Sequence, residues 1–244
     1  MARTRLDQLL VARGLVESRS RARAAIEAGG VTIDGKPARA ASQMFDDDVV
    51  LTAIPAHRFV GRGALKLDHA LTLWPIAVEG RVVLDVGAST GGFTEVCLER
   101  GAAKIFAVDV GQGQMHPRVA ADPRVVVLEQ TDARTLTADI ITEPPTLIVC
   151  DVSFIGLAKA LPAALDLAPP GADLVALIKP QFEADGPSGH SKKGVVKNTE
   201  AHAAAVSGVT DWLESIGWSV QPTTESPITG GDGNVEFLLW AVKG

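Results

Sequence analysis

No apolar stretch in the chain reaches the roughly eighteen residues that a membrane-spanning helix needs. The richest candidate, Thr146 to Ile178, is broken by Asp151, Lys159, Asp166 and Asp173. The opening residues, Met1-Ala2-Arg3-Thr4-Arg5-Leu6-Asp7, lack the apolar run that follows the charges of a secretory signal. Cysteine is scarce: Cys97 and Cys150 lie inside apolar segments, not at disulfide-like spacing, so reduced, buried thiols are expected. These absences predict a cytoplasmic protein with no membrane partner. Metal-ligand spacing is missing as well. His57, His69, His116, His190 and His202 are scattered and the cysteines unpaired, so no metal is expected. There is no internal repeat and no low-complexity tract. Nor is there a general excess of positive charge: the net charge of −6 and pI of about 5.4 exclude a uniformly basic nucleic-acid binder.

What is present is a chain of 244 residues, 46% hydrophobic and 21% charged, with mean hydropathy +0.19. That supports a well-buried core, in one large domain or in a domain of about 150–200 residues with a small module attached. The charge is unevenly distributed. Residues 1–39 carry eight Lys and Arg against four Asp and Glu, a net +4, whereas the remainder carries fifteen against twenty-five, a net −10. A basic head on an acidic body points to the head as the part that meets a polyanion.

In the head, Leu6, Leu9, Leu10 and Leu15 have helical spacing and Gly14 ends the helix. Ser18 or Ser20 can cap a second helix with Ala22, Ala25 and Ile26 as its buried stripe, leaving Arg19 and Arg23 one turn apart on the exposed face. Val31-Thr32-Ile33 alternates like a strand, Asp34-Gly35 is a two-residue hairpin turn, and Val49 to Thr52 supplies another strand. The series Arg5-Leu6-Asp7, Gly14, Ser18-Arg19, Ala22, Ile26, Gly29, Val31 and Ile33-Asp34-Gly35-Lys36 resembles the S4 RNA-binding domain. The resemblance implies a two-helix face and hairpin that grip structured RNA. Arg3, Arg5, Arg19, Arg21, Arg23 and Lys36 are the candidate phosphate contacts, because their charges cluster while the rest of the chain is acidic. The expected division is residues 1–60 as this module, with a linker from about Pro55 to Gly63, and residues 61–244 as the larger domain.

From about residue 64 strands alternate with helices. Val82–Val86, Ile105–Val110, Val125–Leu128, Leu147–Val152 and Leu174–Ile178 are continuous apolar runs, as in parallel strands buried on both faces. Helices are expected over Gly92–Arg100, Phe154–Leu167 and Thr199–Ile216. Val220–Thr224 and Val235–Val242, separated by the turn-rich Pro227–Asn234, are expected to form an antiparallel hairpin. An α/β parallel sheet finished by such a hairpin is the layout of class I, Rossmann-like methyltransferases.

The segment Leu84-Asp85-Val86-Gly87-Ala88-Ser89-Thr90-Gly91-Gly92-Phe93-Thr94 follows a strand and opens a helix, where backbone can approach a ligand closely. A nicotinamide fingerprint requires G-x-G-x-x-G, but Ser89 takes the second glycine position. Asp85 would repel a pyrophosphate and suit a cation or amino group. S-adenosylmethionine carries an ammonium and a sulfonium and no phosphate, so the loop reads as a methyl-donor site. Asp109, at the next strand end, can accept from both ribose hydroxyls, and Asp132, after the third strand, is placed to reach the adenine amino group.

Four further polar residues stand where packing does not need them: Lys66 after Arg62-Gly63-Ala64-Leu65, Asp151 at the fourth strand end, Lys179 at the fifth, and Glu236 in Gly233-Asn234-Val235-Glu236. Strand carboxyl ends converge on the ligand crevice of an open α/β sheet, so Asp151 and Lys179 should meet there. In chain order and context the four resemble the Lys-Asp-Lys-Glu tetrad of FtsJ-like ribose 2′-O-methyltransferases. Together with the head, Asp151-Val152-Ser153-Phe154-Ile155 and Lys179-Pro180-Gln181-Phe182-Glu183, they make the chain similar to the TlyA family, which joins an S4 domain to an FtsJ-like methyltransferase. Two departures are visible: Ala64 stands where many relatives have a second glycine, and the loop Ala184–Lys193 is more irregular than usual.

The resemblance implies 2′-O-methylation of ribosomal RNA cytidines, in the large subunit and in some members also the small. Lys179 is expected as general base, Asp151 as the group that orients it and the methyl donor, and Lys66 and Glu236 as positioning groups for the ribose. Family members have also been called haemolysins, but no amphipathic run is long enough to insert in a membrane. Lys192, Lys193 and Lys197 follow the catalytic lysine in a Gly-rich segment that is either a solvated loop or an RNA-gripping lid. The competing functions are a methyltransferase acting on another RNA or on protein, and a non-catalytic RNA-binding or haemolysin-like protein. A monomer is expected.

Overall fold

A computed structural model describes residues 3–54, 57–183, 195–230 and 233–244. The chain divides into two compact units, Met1–Arg58 and Phe59–Gly244.

The first unit contains β1 (Thr4–Arg5), α1 (Leu6–Ala12), α2 (Arg19–Glu27), β2 (Val31–Ile33), β3 (Lys36–Pro37), β4 (Met44–Phe45) and β5 (Leu51–Ala53). Strands β3, β2 and β5 form an antiparallel sheet, and β1 pairs with β4. Ser18 caps α2 by accepting from the Arg21 N–H at 3.3 Å. Asp34 and Gly35 both have positive φ, 47° and 75°, as a tight hairpin turn between β2 and β3 requires. Leu6, Leu9, Leu10, Ala22, Ala25, Ile26, Val31 and Ile33 close one small core. Burying the helix stripes against the sheet leaves the remaining helix positions to solvent.

The second unit contains α3 (Ala64–Leu73), β6 (Val82–Val86), α4 (Gly92–Glu99), β7 (Lys104–Val108), α5 (Pro117–Ala120), β8 (Val125–Leu128), β9 (Leu147–Cys150), α6 (Leu157–Ala160), α7 (Pro162–Asp166), β10 (Asp173–Ile178), α8 (Pro180–Glu183), α9 (Thr199–Ser215), β11 (Trp218–Val220), β12 (Thr224–Glu225) and β13 (Phe237–Lys243). The sheet runs β11-β13-β10-β9-β6-β7-β8, with β12 also on β13. Strands β10, β9, β6, β7 and β8 are mutually parallel, and β13 lies antiparallel between β10 and β11. This is an α/β sheet with an antiparallel C-terminal strand, as the sequence leads one to expect.

Alternation along the strands feeds two cores. Val83, Ile105, Leu147, Val149, Val175 and Leu177 meet Leu67, Ala70 and Leu71 of α3 and Val96 and Cys97 of α4 on one face. Leu84, Phe106, Ile148, Cys150, Leu174 and Ala176 meet Leu157 of α6, Leu165 of α7, and Val209 and Leu213 of α9 on the other. Cys97 and Cys150 are free and buried, and burial pushes both thiols up, that of Cys150 to about 12.

Two elements differ from expectation. The helix anticipated over Phe154–Leu167 is two short ones, α6 and α7, and Phe154 itself sits at φ 68°. Pro162 starts α7 because it has no N–H to continue the preceding turn. The expected strand Val220–Thr224 is likewise split into β11 and β12, with Pro222 between them, and the last strand begins at Phe237 instead of Val235. Val235 and Glu236 thus lie just outside the ladder.

Candidate active site

Strand register brings the polar residues together. Val86 pairs with Cys150, so Gly87 and Asp151 leave β6 and β9 side by side, and the Asp151 N–H donates to Val86 O at 3.1 Å. Gly87 has φ 84°, and a Cβ there would lie 3.0 Å from Asp151 O, so both conformation and space demand glycine. Ile178 pairs with Phe237, so Lys179 and Glu236 emerge from β10 and β13 at the same end of the sheet. Lys66 reaches the group from the first turn of α3, which opens at Gly63; a Cβ on Gly63 would lie 3.3 Å from Asp151 Oδ2.

The result is an interlocked chain of charges. Lys66 Nζ donates to Glu236 Oε2 at 2.5 Å and reaches Asp151 Oδ2 at 3.4 Å. On its other side, Lys179 Nζ lies 2.6 Å from Asp151 Oδ1, as a charge contact outside hydrogen-bond alignment, and donates to Ser153 Oγ at 2.9 Å. Lys66, Lys179 and Glu236 are buried and Asp151 is half-buried. Buried charges persist only when paired, and here each cation has a carboxylate.

Two cavities meet at Asp151, while Lys66 and Glu236 line neither. The larger, about 410 Å³, is lined by Gly87, Ser89, Asp109, Val110, Gln114, Thr131, Asp132, Arg134, Asp151, Ser153 and Phe154, among others. The smaller, about 220 Å³, is lined by Gly61, Arg62, Gly63, Ala88, Thr90, Gly92, Phe93 and Lys179, and it shares Gly87, Ser89, Asp151 and Ser153 with the larger. A volume of this size falls within the range of about 300–1,000 Å³ for cofactor sites. Of the three carboxylates of the larger cavity, Asp132 is paired with Arg134 and Asp151 with Lys179 and Lys66, which leaves Asp109 as the one bound by N–H groups alone among the described residues.

The expected donor-site residues are distributed as follows. Gly87, Ser89, Asp109 and Asp132 line the larger cavity, whereas Ala88, Thr90 and Gly92 line the smaller. Asp109 Oδ2 accepts from the Ser89 N–H at 2.8 Å and Oδ1 from the Gly111 N–H at 2.7 Å, leaving one lone pair on each oxygen. Asp132 is engaged by its own neighbour: Arg134 N, Nε and Nη2 bind its two oxygens at 2.6–3.0 Å. The Arg134 hydrogen bonds hold the Asp132 carboxyl down at about 2. Asp85 and Gly91 line neither cavity. Asp85 is fully buried, accepts from Thr94 Oγ1 at 2.6 Å and has Oδ1 unpartnered; burial pushes its carboxyl up to about 7.

Several residues at the site escaped the sequence reading. Ser153 contacts Lys179, and Phe154, 89% exposed beside the larger cavity, packs on Phe182 at 5.2 Å between ring centroids. Gln114 bonds Ser89 Oγ at 3.0 Å, while Glu129 holds its loop by accepting the Gly113, Gln114 and Met115 N–H groups. Those three bonds draw the Glu129 carboxyl below its ordinary range. Glu183 accepts from the Leu157 N–H at 3.2 Å to each oxygen, and burial pushes it up to about 7. An aromatic at position 154 signals a buried helix residue, so only the backbone geometry reveals it as exposed.

The basic residues of the first unit fall into two groups. Arg5 and Arg19 both bind buried Asp7, at 3.0 and 2.9 Å. Arg21 lies 3.5 Å from Glu17 and donates to His57 O. Arg3, Arg23 and Lys36 are exposed and make no ion pair among the described residues. Lys192 and Lys193 lie outside the described residues; Lys197 is exposed just before α9. Among the described residues no group of three metal-ligating side chains occurs and no helix is long and apolar enough to cross a membrane.

Comparison with known proteins gives two family models: an S4 domain matching residues 4–50 and an FtsJ-like methyltransferase matching residues 59–243. The chain is 47% identical over 240 residues to the 16S/23S rRNA (cytidine-2′-O)-methyltransferase TlyA of Mycobacterium tuberculosis, covering 98% of this chain and 89% of that one. It is 34% identical over 235 residues to Hemolysin A of Brachyspira hyodysenteriae, covering 96% and 98%. A solved structure from Streptococcus thermophilus is 38% identical, with TM-score 0.78, covering 100% of this chain and 89% of that one.

Proposed function

The chain belongs to the TlyA family, FtsJ-like methyltransferases with an S4 domain, and from that premise we propose that it moves a methyl group from S-adenosylmethionine to the ribose 2′-hydroxyl of a cytidine in ribosomal RNA. The observation that carries this reading is the interlocked chain Glu236–Lys66–Asp151–Lys179, in which Asp151 lines both cavities and Lys179 the smaller, with Lys66 and Glu236 behind them lining neither.

The residues around the larger cavity fit a methyl donor. Asp109 keeps two free lone pairs for a ribose diol. Asp132 would reach the adenine amino group only by sharing its oxygens with Arg134. Asp85 acts from beneath, as a buried carboxyl behind the Gly87–Gly92 loop. When bound, the donor supplies an electrophilic methyl carbon on a sulfonium, and the electron pair of the breaking bond stays on sulfur.

The smaller cavity would take the acceptor ribose. Lys179 lines it and would serve as the base that takes the proton of the 2′-hydroxyl as that oxygen receives the methyl group. Asp151 holds Lys179, and Glu236 with Lys66 holds Asp151. Exposed Phe154 offers a face on which an unstacked base can rest. Arg62, fixed by its 2.8 Å bond to Thr229 O, is a cation beside the same cavity.

Residues 1–60 would grip RNA through Arg3, Arg23 and Lys36, with Arg5, Arg19 and Arg21 shaping that face, and residues 61–244 would perform the transfer. Hemolysin A among the relatives favours a second, membrane-damaging reading, but that reading assigns no task to four interlocked charges. Incubation with labelled S-adenosylmethionine and each ribosomal subunit tests the proposal. Label in large-subunit RNA is expected, and label in the small subunit as well would mark a dual substrate. No label on any RNA would sink the catalytic reading. Activity retained in a chelator and elution near 25.5 kDa test the accompanying expectations of a metal-free monomer.

A further inference from the structure

Among the described residues Lys179 makes one aligned hydrogen bond, and it runs to a side chain outside the four charged ones: Nζ donates to Ser153 Oγ at 2.9 Å. The neighbouring contact with Asp151 Oδ1, 2.6 Å away, attracts the amine by charge but lies outside hydrogen-bond alignment.

Ser153 is exposed and lines both cavities at their junction. The next residue, Phe154, has a left-handed φ of 68°, which a non-glycine residue adopts only at a cost in free energy. The surroundings hold that turn in place: the Phe154 ring packs on Phe182, and the Leu157 N–H is bound by Glu183. Phe182 and Glu183 sit on the segment that Lys179 begins, so the serine and the lysine are tied to one another twice.

We propose that Ser153 is a positioning residue for methyl transfer, whose hydroxyl accepts from Lys179 and turns the free direction of its amine toward the acceptor 2′-hydroxyl. The proposal rests on the reading of Lys179 as base. A neutral amine has two N–H groups and one lone pair. With one N–H on Ser153 and the other drawn toward Asp151, the lone pair is left for the ribose. The proton leaves the ribose O2′ for Nζ, and the resulting ammonium is stabilised by both oxygen acceptors. The charged groups facing it, Asp151 directly and Lys66 and Glu236 behind Asp151, are unchanged in Ser153→Ala.

The test is the steady-state kinetics of the full chain on ribosomal RNA, comparing wild type, Lys179→Ala, Ser153→Ala and Ser153→Thr, with methyl-donor affinity measured by calorimetry. Ser153→Ala is expected to lower kcat about ten- to a hundred-fold and to leave KM for RNA and donor affinity within about three-fold. Ser153→Thr, which keeps the hydroxyl, is expected to restore most of the rate. A Ser153→Ala enzyme with wild-type kcat would overturn the proposal, as would a rate loss that Ser153→Thr does not recover. Full activity in Lys179→Ala would instead overturn the underlying assignment of the base.

Discussion

In the first unit, charged side chains pair close at hand or stand in solvent. Arg5 and Asp7 are two residues apart, Arg19 joins them, and Arg3, Arg23 and Lys36 are exposed. In the second unit Lys66 pairs with Asp151 and Glu236, 85 and 170 residues away, and the cluster is withdrawn from water. The two arrangements differ in what they cost and what they can do. Exposed cations cost little, contribute little to stability and are available to a polyanion. A buried cluster is costly to assemble unless every member is paired, and its place beside two cavities is what makes it the candidate for chemistry.

Lys179→Ala should break the comparison most sharply. Methyl transfer is expected to fall by about 10²–10⁴-fold while methyl-donor binding, read by calorimetry, is retained. Equal loss of binding would mean that Lys179 serves the donor pocket instead. Next in size, Asp109→Ala removes the acceptor that ties Ser89 to Gly111. It is expected to weaken donor affinity by about ten- to a hundred-fold, with kcat at saturating donor much less affected. In the first unit the joint substitution Arg3→Ala, Arg23→Ala and Lys36→Ala should weaken RNA binding about ten-fold. It should also reduce the slope of log affinity against log salt by about two to three, leaving kcat at saturating RNA unchanged.

The smallest effect concerns Asp7. Hydrogen bonding to Arg5 and then Arg19 holds its carboxyl at about 2 instead of 3.8. A depressed folded-state value means that the stabilisation is present above the ordinary value and is lost as pH falls from about 4 toward 2. Asp7→Asn should flatten that loss in thermal melts of the full chain across the same range. An unchanged acid dependence would place the sensitivity elsewhere.

How legible these features are in the sequence follows from their physics. Strands buried on both faces must be continuous apolar runs, so β6 is found at its observed bounds and β7, β9 and β10 within two residues; β8 is also found at its bounds, although it is the edge strand and no residue of it is fully buried. Polar residues that interrupt such runs at strand ends stand out, which is why Asp151 and Lys179 were readable. Local pairing hides itself better. Nothing in Thr131-Asp132-Ala133-Arg134 indicates that the arginine folds back on the aspartate, and the six basic residues of the head look equivalent until Asp7 is seen to engage two of them. The left-handed turn at Phe154 was hidden by a helical pattern that Pro162 and the Glu183 contact override.

The central claim is that the buried charge chain directs a methyl group to a ribose oxygen. The direct measurement is nucleoside mass spectrometry of ribosomal RNA after incubation with S-adenosylmethionine and either the wild-type enzyme or Lys179→Ala. New 2′-O-methylcytidine is expected with the wild type and none above background with the variant. A methyl group on the base, or equal 2′-O-methylation by both proteins, would contradict it.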